Sequence, residues 1–401
     1  MAAFARHGSL TYTPGQADDP SFIFFPDTTP YNLSEDRSFD TYGAKVDYAW
    51  RPSPEVEVKV GTLASATRGR ESFVTSAADG THGPVSNSDL DGHDVGVYAQ
   101  TALSPVEWLE LRTGVRYDSH VAPFAGNQHQ VSPRVKLSIF PNSANTVYAY
   151  YGRLFVPTNI EDLRAITEAA DSGVVAAPTL PERDHFYEIG YIHRFPFGVV
   201  TKLSGYYKES SPGIDDNTVP GSAITTSVNL AKVYIRGIEG VIEVRPPGPL
   251  SGYVNLALNH AYGRGPITGG FFPTDVADVP GGWFDLDHDQ RISAVASAVY
   301  SAHRFYVSAT GIYGSGLTNG ADITAPVGRG LLDFNRGIHV DPSVIVNAAA
   351  GYSLLVGRTV VRPQLYVDNV FDRKYLLKGA FFSGASVGRP RSVQLNVSVG
   401  L

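Results

Sequence analysis

The segment RTVVRPQLYVDNVF, residues 358–371, carries the reading that decides the fold. Val361, Leu365 and Val367 fall on one side of an extended chain, and Arg362, Gln364, Tyr366 and Asp368 fall on the other. A period of two is the side-chain repeat of a β-strand with one apolar and one polar face. The closing segment repeats the pattern, with Val393, Leu395, Val397, Val399 and Leu401 alternating with Gln394, Asn396 and Ser398. Toward the N-terminus, Val56, Val58 and Val60 oppose Glu55, Glu57 and Lys59, while Glu110, Arg112, Arg116 and Asp118 share one polar face. Several such segments reach the roughly 9 to 11 residues that a tilted strand needs to cross a bilayer.

The connections between segments fall into two kinds. Short ones are Pro52-Ser53-Pro54, Ser104-Pro105, Pro141-Asn142-Ser143, Phe195-Pro196-Phe197-Gly198, Pro246-Pro247-Gly248-Pro249, Ser301-Ala302-His303 and Val356-Gly357. Between them lie long, mostly polar stretches: Arg68 to Leu90, Pro157 to Pro181, Gly263 to Gly282 and Gly316 to Gly337. Tight turns at one rim and long loops at the other are the signature of an outer-membrane barrel, with the turns on the periplasmic side. Trp50, Trp108, Phe140, Phe195, Phe197, Tyr253, Tyr300, Phe305 and Tyr352 each lie close to a short turn. Amphipathic rings favour the membrane boundary, so these residues predict an aromatic girdle there.

Composition agrees. In 401 residues there are 41 glycines, 27 prolines, 22 tyrosines and 20 phenylalanines against a single methionine, and only 18% are charged. A soluble helical protein leans instead on Leu, Ala, Glu and Lys. No run of 18 apolar residues could cross a membrane as a helix. Cysteine is absent, which excludes disulfides, thiolate metal sites and a cysteine nucleophile. A formal charge of −7 offers nothing to nucleic acid. Met1 to Tyr12 lacks a basic region followed by an apolar core, so no signal peptide is expected. The predicted architecture is all-β: residues 1–401 as one antiparallel transmembrane β-barrel of about 16 strands, paired as hairpins from near Phe4 to Leu401.

Motifs for chemistry fail on inspection. Gly384-Ala385-Ser386-Val387-Gly388 matches a nucleophile elbow, but it leads into a strand and no Asp or His follows Ser386. Asp285-Leu286-Asp287-His288-Asp289 begins like a calcium loop, yet Gln290 and Ala296 stand where Gly and Glu are required. The eleven histidines show no ligand spacing, and phosphate-cradling glycine loops are missing. No catalytic residue, resident metal or cofactor is expected, and the chain reads as a non-enzyme.

Several local sequences resemble signatures of TonB-dependent outer-membrane receptors. Near the C-terminus, Val367 to Tyr375, with Asn369, Phe371, Asp372 and Tyr375, precedes Gly388-Arg389-Pro390-Arg391-Ser392-Val393. Upstream are Gly152 to Pro157, Leu180-Pro181-Glu182 with Tyr187-Glu188-Ile189-Gly190, Asn229 to Lys232 leading to Arg236-Gly237-Ile238-Glu239, and Asp287 to Arg291, all in that family's order. These residues are read as shaping strands and loop bases. The resemblance implies location in the outer membrane of a Gram-negative-type bacterium and energy-coupled uptake of a scarce nutrient of the siderophore-iron, cobalamin or oligosaccharide class. The implied partners are the lipid bilayer, that ligand and an inner-membrane energy-coupling complex.

Family members carry an N-terminal plug and a barrel of 22 strands, whereas this sequence has room for about sixteen and shows no plug. The competing readings are therefore a passive porin-like channel and a truncated, non-functional receptor fragment. Aromatic residues of the long loops, Phe272, Trp283, Phe284, Phe381 and Phe382, are the expected ligand contacts.

Overall fold

In the computed structural model, residues 1–15, 22–23, 30–77, 79–123, 125–160, 179–218, 225–269, 283–286, 288–318, 339–378 and 386–400 are described. Their alternating segments form sixteen long strands. The first eight are β1 (Ala2–Tyr12), β2 (Pro30–Ser53), β3 (Val56–Ala77), β4 (Gly92–Val106), β5 (Leu109–Ala122), β6 (Gly126–Asn142), β7 (Asn145–Val156) and β8 (Glu182–Arg194). The second eight are β9 (Val199–Ser210), β10 (Thr225–Val244), β11 (Leu250–Thr268), β12 (Ile292–Ala302), β13 (Phe305–Gly314), β14 (Ser343–Tyr352), β15 (Thr359–Asp368) and β16 (Ser392–Gly400). Each pairs antiparallel with the next, so the wall is a continuous meander from β1 to β16. Among the described residues no ladder joins β1 to β16.

Burial is inverted relative to a soluble sheet. The exposed large side chains are the apolar set of the alternation, among them Ile189 at 63%, Leu203 at 57%, Val131, Leu137 and Ile242. Opposite faces of the same strands carry Arg112, Arg116, Arg134, Lys136, Glu188 and Lys202. In water an exposed apolar wall of this extent is unfavourable, whereas in hydrocarbon it costs nothing and the hydrogen-bond ladders between neighbouring strands satisfy the backbone. The segments in RTVVRPQLYVDNVF behave as read: Val361, Leu365 and Val367 sit opposite Val399, Leu395 and Val393 on the outer face.

Three of the short turns share a device that the sequence places slightly wrongly. The hairpin expected at Ser104-Pro105 turns at Glu107 and Trp108 instead, and the ladder shifts register between Leu103 and Val106. The same shift occurs between Trp50 and Ser53 and between Ile139 and Asn142. Pro52, Pro105 and Pro141 occupy these irregularities, because a residue without an N–H is tolerated where the ladder is already interrupted. Of the four remaining turns, two use a glycine at clearly positive φ, Gly198 and Gly357, and a third uses His303 at φ of 55°.

The stretch from Arg68 to Leu90 is not a loop. β3 runs on to Ala77, and His82–Asp89 returns as a short strand paired with it. Thr67, Glu71, Phe73 and Thr75 bury one face of the extension, so its period-two pattern was a strand signal in polar dress. Packed inside with it are Leu33 and Phe39, and Arg37 stands 3.4 Å from Glu35 and 4.0 Å from Glu71.

Candidate functional site

The register lines up one row of lumen side chains across seven strands. Glu57, Ala102, Arg112, Lys136, Tyr150, Glu188 and Tyr206 are successive cross-strand partners from β3 to β9. Ion pairs and rings fill the row and its neighbours. Arg112 donates to both oxygens of Glu110 at 2.8 and 3.0 Å, and Arg116 donates to Asp118 at 2.6 Å. Tyr98 donates to Asp47 at 2.6 Å, and Tyr148 donates to Glu188. Lys136 lies 4.5 Å from the centre of the Tyr148 ring. A recess of about 230 Å³ opens between Lys59, Gln100, Arg112, Arg134, Lys136 and Tyr150. Such a wall can hold water, ions or a polar solute at a depth where the outside is hydrocarbon.

Glycine shapes the lumen where rings lie flat on it. A Cβ at Gly190 would meet the Tyr148 ring at 2.4 Å, so only glycine admits that tyrosine against the wall.

At the extracellular ends of the strands, buried polar side chains hold the loop bases. Asn229 accepts from the Leu180 N–H at 2.6 Å and donates to the carbonyls of Leu180 and Gly213. Glu182 accepts from Lys208 at 2.5 Å and from the Ile214 N–H at 2.8 Å. Buried Arg291 donates to Asp289 and, at 3.0 Å, to Asp285, which also faces His260 Nε2 at 2.8 Å. Asp289 in turn accepts from the Ala261 N–H at 2.7 Å. Burial opposes ionisation of Asp285, but His260 and Arg291 outweigh it and hold the carboxyl below its ordinary value. For Asp289 burial prevails over Arg291, and its carboxyl is pushed up.

His260, Asp285 and Asp289 bring potential ligand atoms within 4.8 Å of one another. The Arg291 guanidinium already answers both carboxylates, so this cluster reads as a loop-base ion network. That answers the cation loop considered for Asp285 to Asp289, of which Asp287 lies outside the described residues.

The C-terminal motif forms a comparable clamp. Asn369, with φ of 49°, accepts from the Arg373 N–H at 2.8 Å and donates to the carbonyls of Arg373 and Arg389 at 2.9 and 3.1 Å. Asp372, also at positive φ, accepts from the Arg391 N–H at 2.9 Å. Tyr375 lies over Gly388, where a Cβ would come within 2.0 Å of the ring. Phe371, Arg389, Pro390 and Arg391 are exposed. The Ser386 of the elbow-like sequence pairs with Lys378 in a two-stranded ladder.

Of the five loop aromatics, Phe272, Phe381 and Phe382 lie outside the described residues. Phe284 is 8% exposed and packs with Leu230 and Val233. Trp283 packs at 5.2 Å from Tyr234 and 5.5 Å from Tyr262.

Sequence reading missed a second aromatic row. Tyr151, Tyr187 and Tyr207 are cross-strand partners on the outer face, with ring centres 5.1 and 6.3 Å apart, and the row continues through Tyr234 and Tyr262. No short turn lies near these tyrosines, so the cue that revealed the lower girdle was absent. From Tyr187 to Phe195 is eight residues, or about 26 Å along a strand and less along the membrane normal once tilted. This matches an apolar band about 25 Å tall. An inside-polar, outside-apolar antiparallel wall between two aromatic girdles defines a transmembrane β-barrel of the outer-membrane kind.

A family model described as TonB dependent receptor-like, beta-barrel matches residues 3–370, and the chain belongs to that family. It is an outer-membrane barrel of a Gram-negative-type bacterium, in a family of receptors rather than enzymes. Solved structures show the same fold. The ferric yersiniabactin uptake receptor FyuA from Yersinia pestis is 15% identical with a TM-score of 0.71, covering 98% of this chain and 57% of its own. The ferripyoverdine receptor of Pseudomonas aeruginosa is 14% identical with a TM-score of 0.67, covering 98% and 53%. The FrpB iron transporter from Neisseria meningitidis, in its F3-3 variant, is 14% identical with a TM-score of 0.66, covering 98% of this chain and 59% of its own. No curated protein matches the chain by sequence. The chain therefore spans somewhat over half the length of these solved relatives.

Proposed function

We propose that the chain forms the wall of an outer-membrane receptor for energy-coupled uptake of a scarce nutrient, of the siderophore-iron, cobalamin or oligosaccharide class. The observation that carries this is the lumen: a row that crosses seven strands, charged or tyrosine at every member but Ala102, lies behind an apolar outer face. A packed apolar interior would serve no passage, whereas this one offers polar contacts throughout. Among the similar structures are a ferric yersiniabactin uptake receptor and a ferripyoverdine receptor, which favours the iron-chelate class. Ligand contact is assigned to the loop residues Phe272, Phe381 and Phe382, with Trp283 and Phe284 stiffening the loop base beneath. Opening of the path draws on an inner-membrane energy-coupling complex.

The test uses cells that lack their own receptors and express the complete gene product, supplied in turn with a labelled ferric siderophore, cobalamin and an oligosaccharide. Accumulation of one class that stops when the inner-membrane proton gradient is collapsed supports the reading. Uptake indifferent to the gradient, with steady conductance of the purified protein in a planar bilayer, would replace it by a passive porin-like channel.

A further inference from the structure

Two cations of the lumen wall have no anion to answer them. Most charges on that face are paired: Glu57 holds Lys59 at 2.5 Å, Glu110 holds Arg112 at 2.8 Å, Asp118 holds Arg116 at 2.6 Å, and Glu188 lies 3.5 Å from Lys202. Arg134 and Lys136, two apart on β6, are the exceptions. Among the described residues neither makes an ion pair or a hydrogen bond, and each lies over a ring instead. Arg134 is 5.9 Å from the centre of Tyr98 and Lys136 4.5 Å from that of Tyr148. The Arg134 Nε is shielded from solvent with its donor unused.

The surroundings leave room for a ligand. Arg134 has Gly114 and Gly152 as its cross-strand partners on β5 and β7, so neither neighbour sets a side chain directly beside it. Tyr150 leans across Gly152, its hydroxyl standing where a Cβ would be and without a hydrogen-bond partner among the described residues. All three side chains, Arg134, Lys136 and Tyr150, line the recess of about 230 Å³, and Gln100 adds an amide. Behind them Val135 and Leu137 face hydrocarbon. An uncompensated charge so backed attracts a counterion more strongly than it would in water.

A guanidinium fork holds a carboxylate or phosphate by two parallel N–H bonds, and an ammonium holds a second one as a point charge. Same-face positions two apart on a strand are separated by about 6.8 Å. The pair therefore favours a ligand whose two acidic groups span that gap over a small single anion. We propose that the recess at β5 to β7 is a lumen binding site for a small multivalent oxyanion, one acidic group on Arg134 and Tyr150 and the next on Lys136. The site rests on the reading of the lumen as a solute path, and it narrows the solute to one carrying at least two carboxylate or phosphate groups.

Titration calorimetry on the complete gene product in lipid nanodiscs tests this, with glutarate, propane-1,3-bisphosphonate, acetate and neutral glutaramide as probes. Both dianions should bind, the tighter of the two naming the acidic group, and acetate and glutaramide should bind at least about tenfold more weakly. Arg134→Gln and Lys136→Gln should each lower dianion affinity about tenfold, and together about 100-fold. Arg134→Lys should keep part of the affinity, and Lys45→Gln, which removes a lumen lysine already paired with Asp47, should keep all of it. Urea unfolding separates lost binding from lost fold. Without ligand the double variant should unfold at the parent's midpoint or above it, since a charge with no partner has been removed, and saturating glutarate should raise the midpoint of the parent alone. Acetate binding as tightly as glutarate, a double variant that binds like the parent, or a parent that binds neither dianion would each overturn the proposal. Gradient-dependent uptake by a protein that binds neither dianion would remove this site and leave the uptake reading standing.

Discussion

Replacing Asn369 by alanine should cost about 4 kcal/mol, and the structure says where that figure comes from. The side chain is 3% exposed and makes three hydrogen bonds, to the Arg373 N–H and to the carbonyls of Arg373 and Arg389. At about 1 kcal/mol each these contribute about 3 kcal/mol. Alanine must also adopt the positive φ that asparagine tolerates, which adds about 1 kcal/mol. Asn369→Gly loses the bonds but not the conformation, so it should cost about 3 kcal/mol, and the difference between the two variants isolates the backbone contribution. Urea unfolding of the barrel in lipid vesicles, followed by tryptophan fluorescence, gives both values, with amide exchange at Arg373 and Arg391 reporting the clamp locally. A loss below about 1 kcal/mol for the alanine variant, or identical losses for both, would refute the reasoning.

Further predictions concern the two faces and the loop base. Leu203→Arg places a charge on the lipid face midway between the girdles and should destabilise the barrel by about 2 to 4 kcal/mol, while Gln100→Glu, a charge facing the lumen beside Lys59, Arg112, Arg134 and Lys136, should be close to neutral in the same urea assay. Arg291→Met leaves Asp285 and Asp289 without their guanidinium and should cost about 3 to 5 kcal/mol, read as earlier proteolytic cleavage within the loop before β12. The carboxyl of Asp285 is held below 3.8 in the folded protein, so its contribution is present above pH 3.8 and is lost as pH falls below that. Asp289 is raised and works in the opposite sense: its contribution is fullest below pH 3.8 and declines as pH rises above it. Trp283 emission in a Trp50→Phe, Trp108→Phe background should therefore shift on acidification below pH 3.8, and Asp285→Asn should remove that shift.

Much of the wall was legible because alternation is local. A strand needs only its own side chains to declare its faces, and Val361 to Val367 or Val56 to Val60 did so without help from any partner. The clamps were half legible: Asn369, Gly388 and Asn229 stood out by resemblance, but their hydrogen bonds join residues up to 49 apart. The upper tyrosine row was hidden because Tyr151, Tyr187 and Tyr207 align only once the register of three strands is known. Likewise, His260 meets Asp285 and Arg291 through a pairing no spacing announces. Trp283 and Phe284 looked like free loop aromatics because a loop sequence does not reveal which of its rings fold back on the strands.

The central claim is tested most directly by depth-resolved quenching on β6, made simple by the absence of cysteine. Single cysteines placed in turn from Gln130 to Leu137, labelled with a fluorophore in vesicles of brominated lipid, should give strong quenching at positions 131, 133, 135 and 137 and weak quenching at 130, 132, 134 and 136. Uniform quenching along the strand, or none at any position, would contradict a lipid-facing wall with a wet lumen behind it.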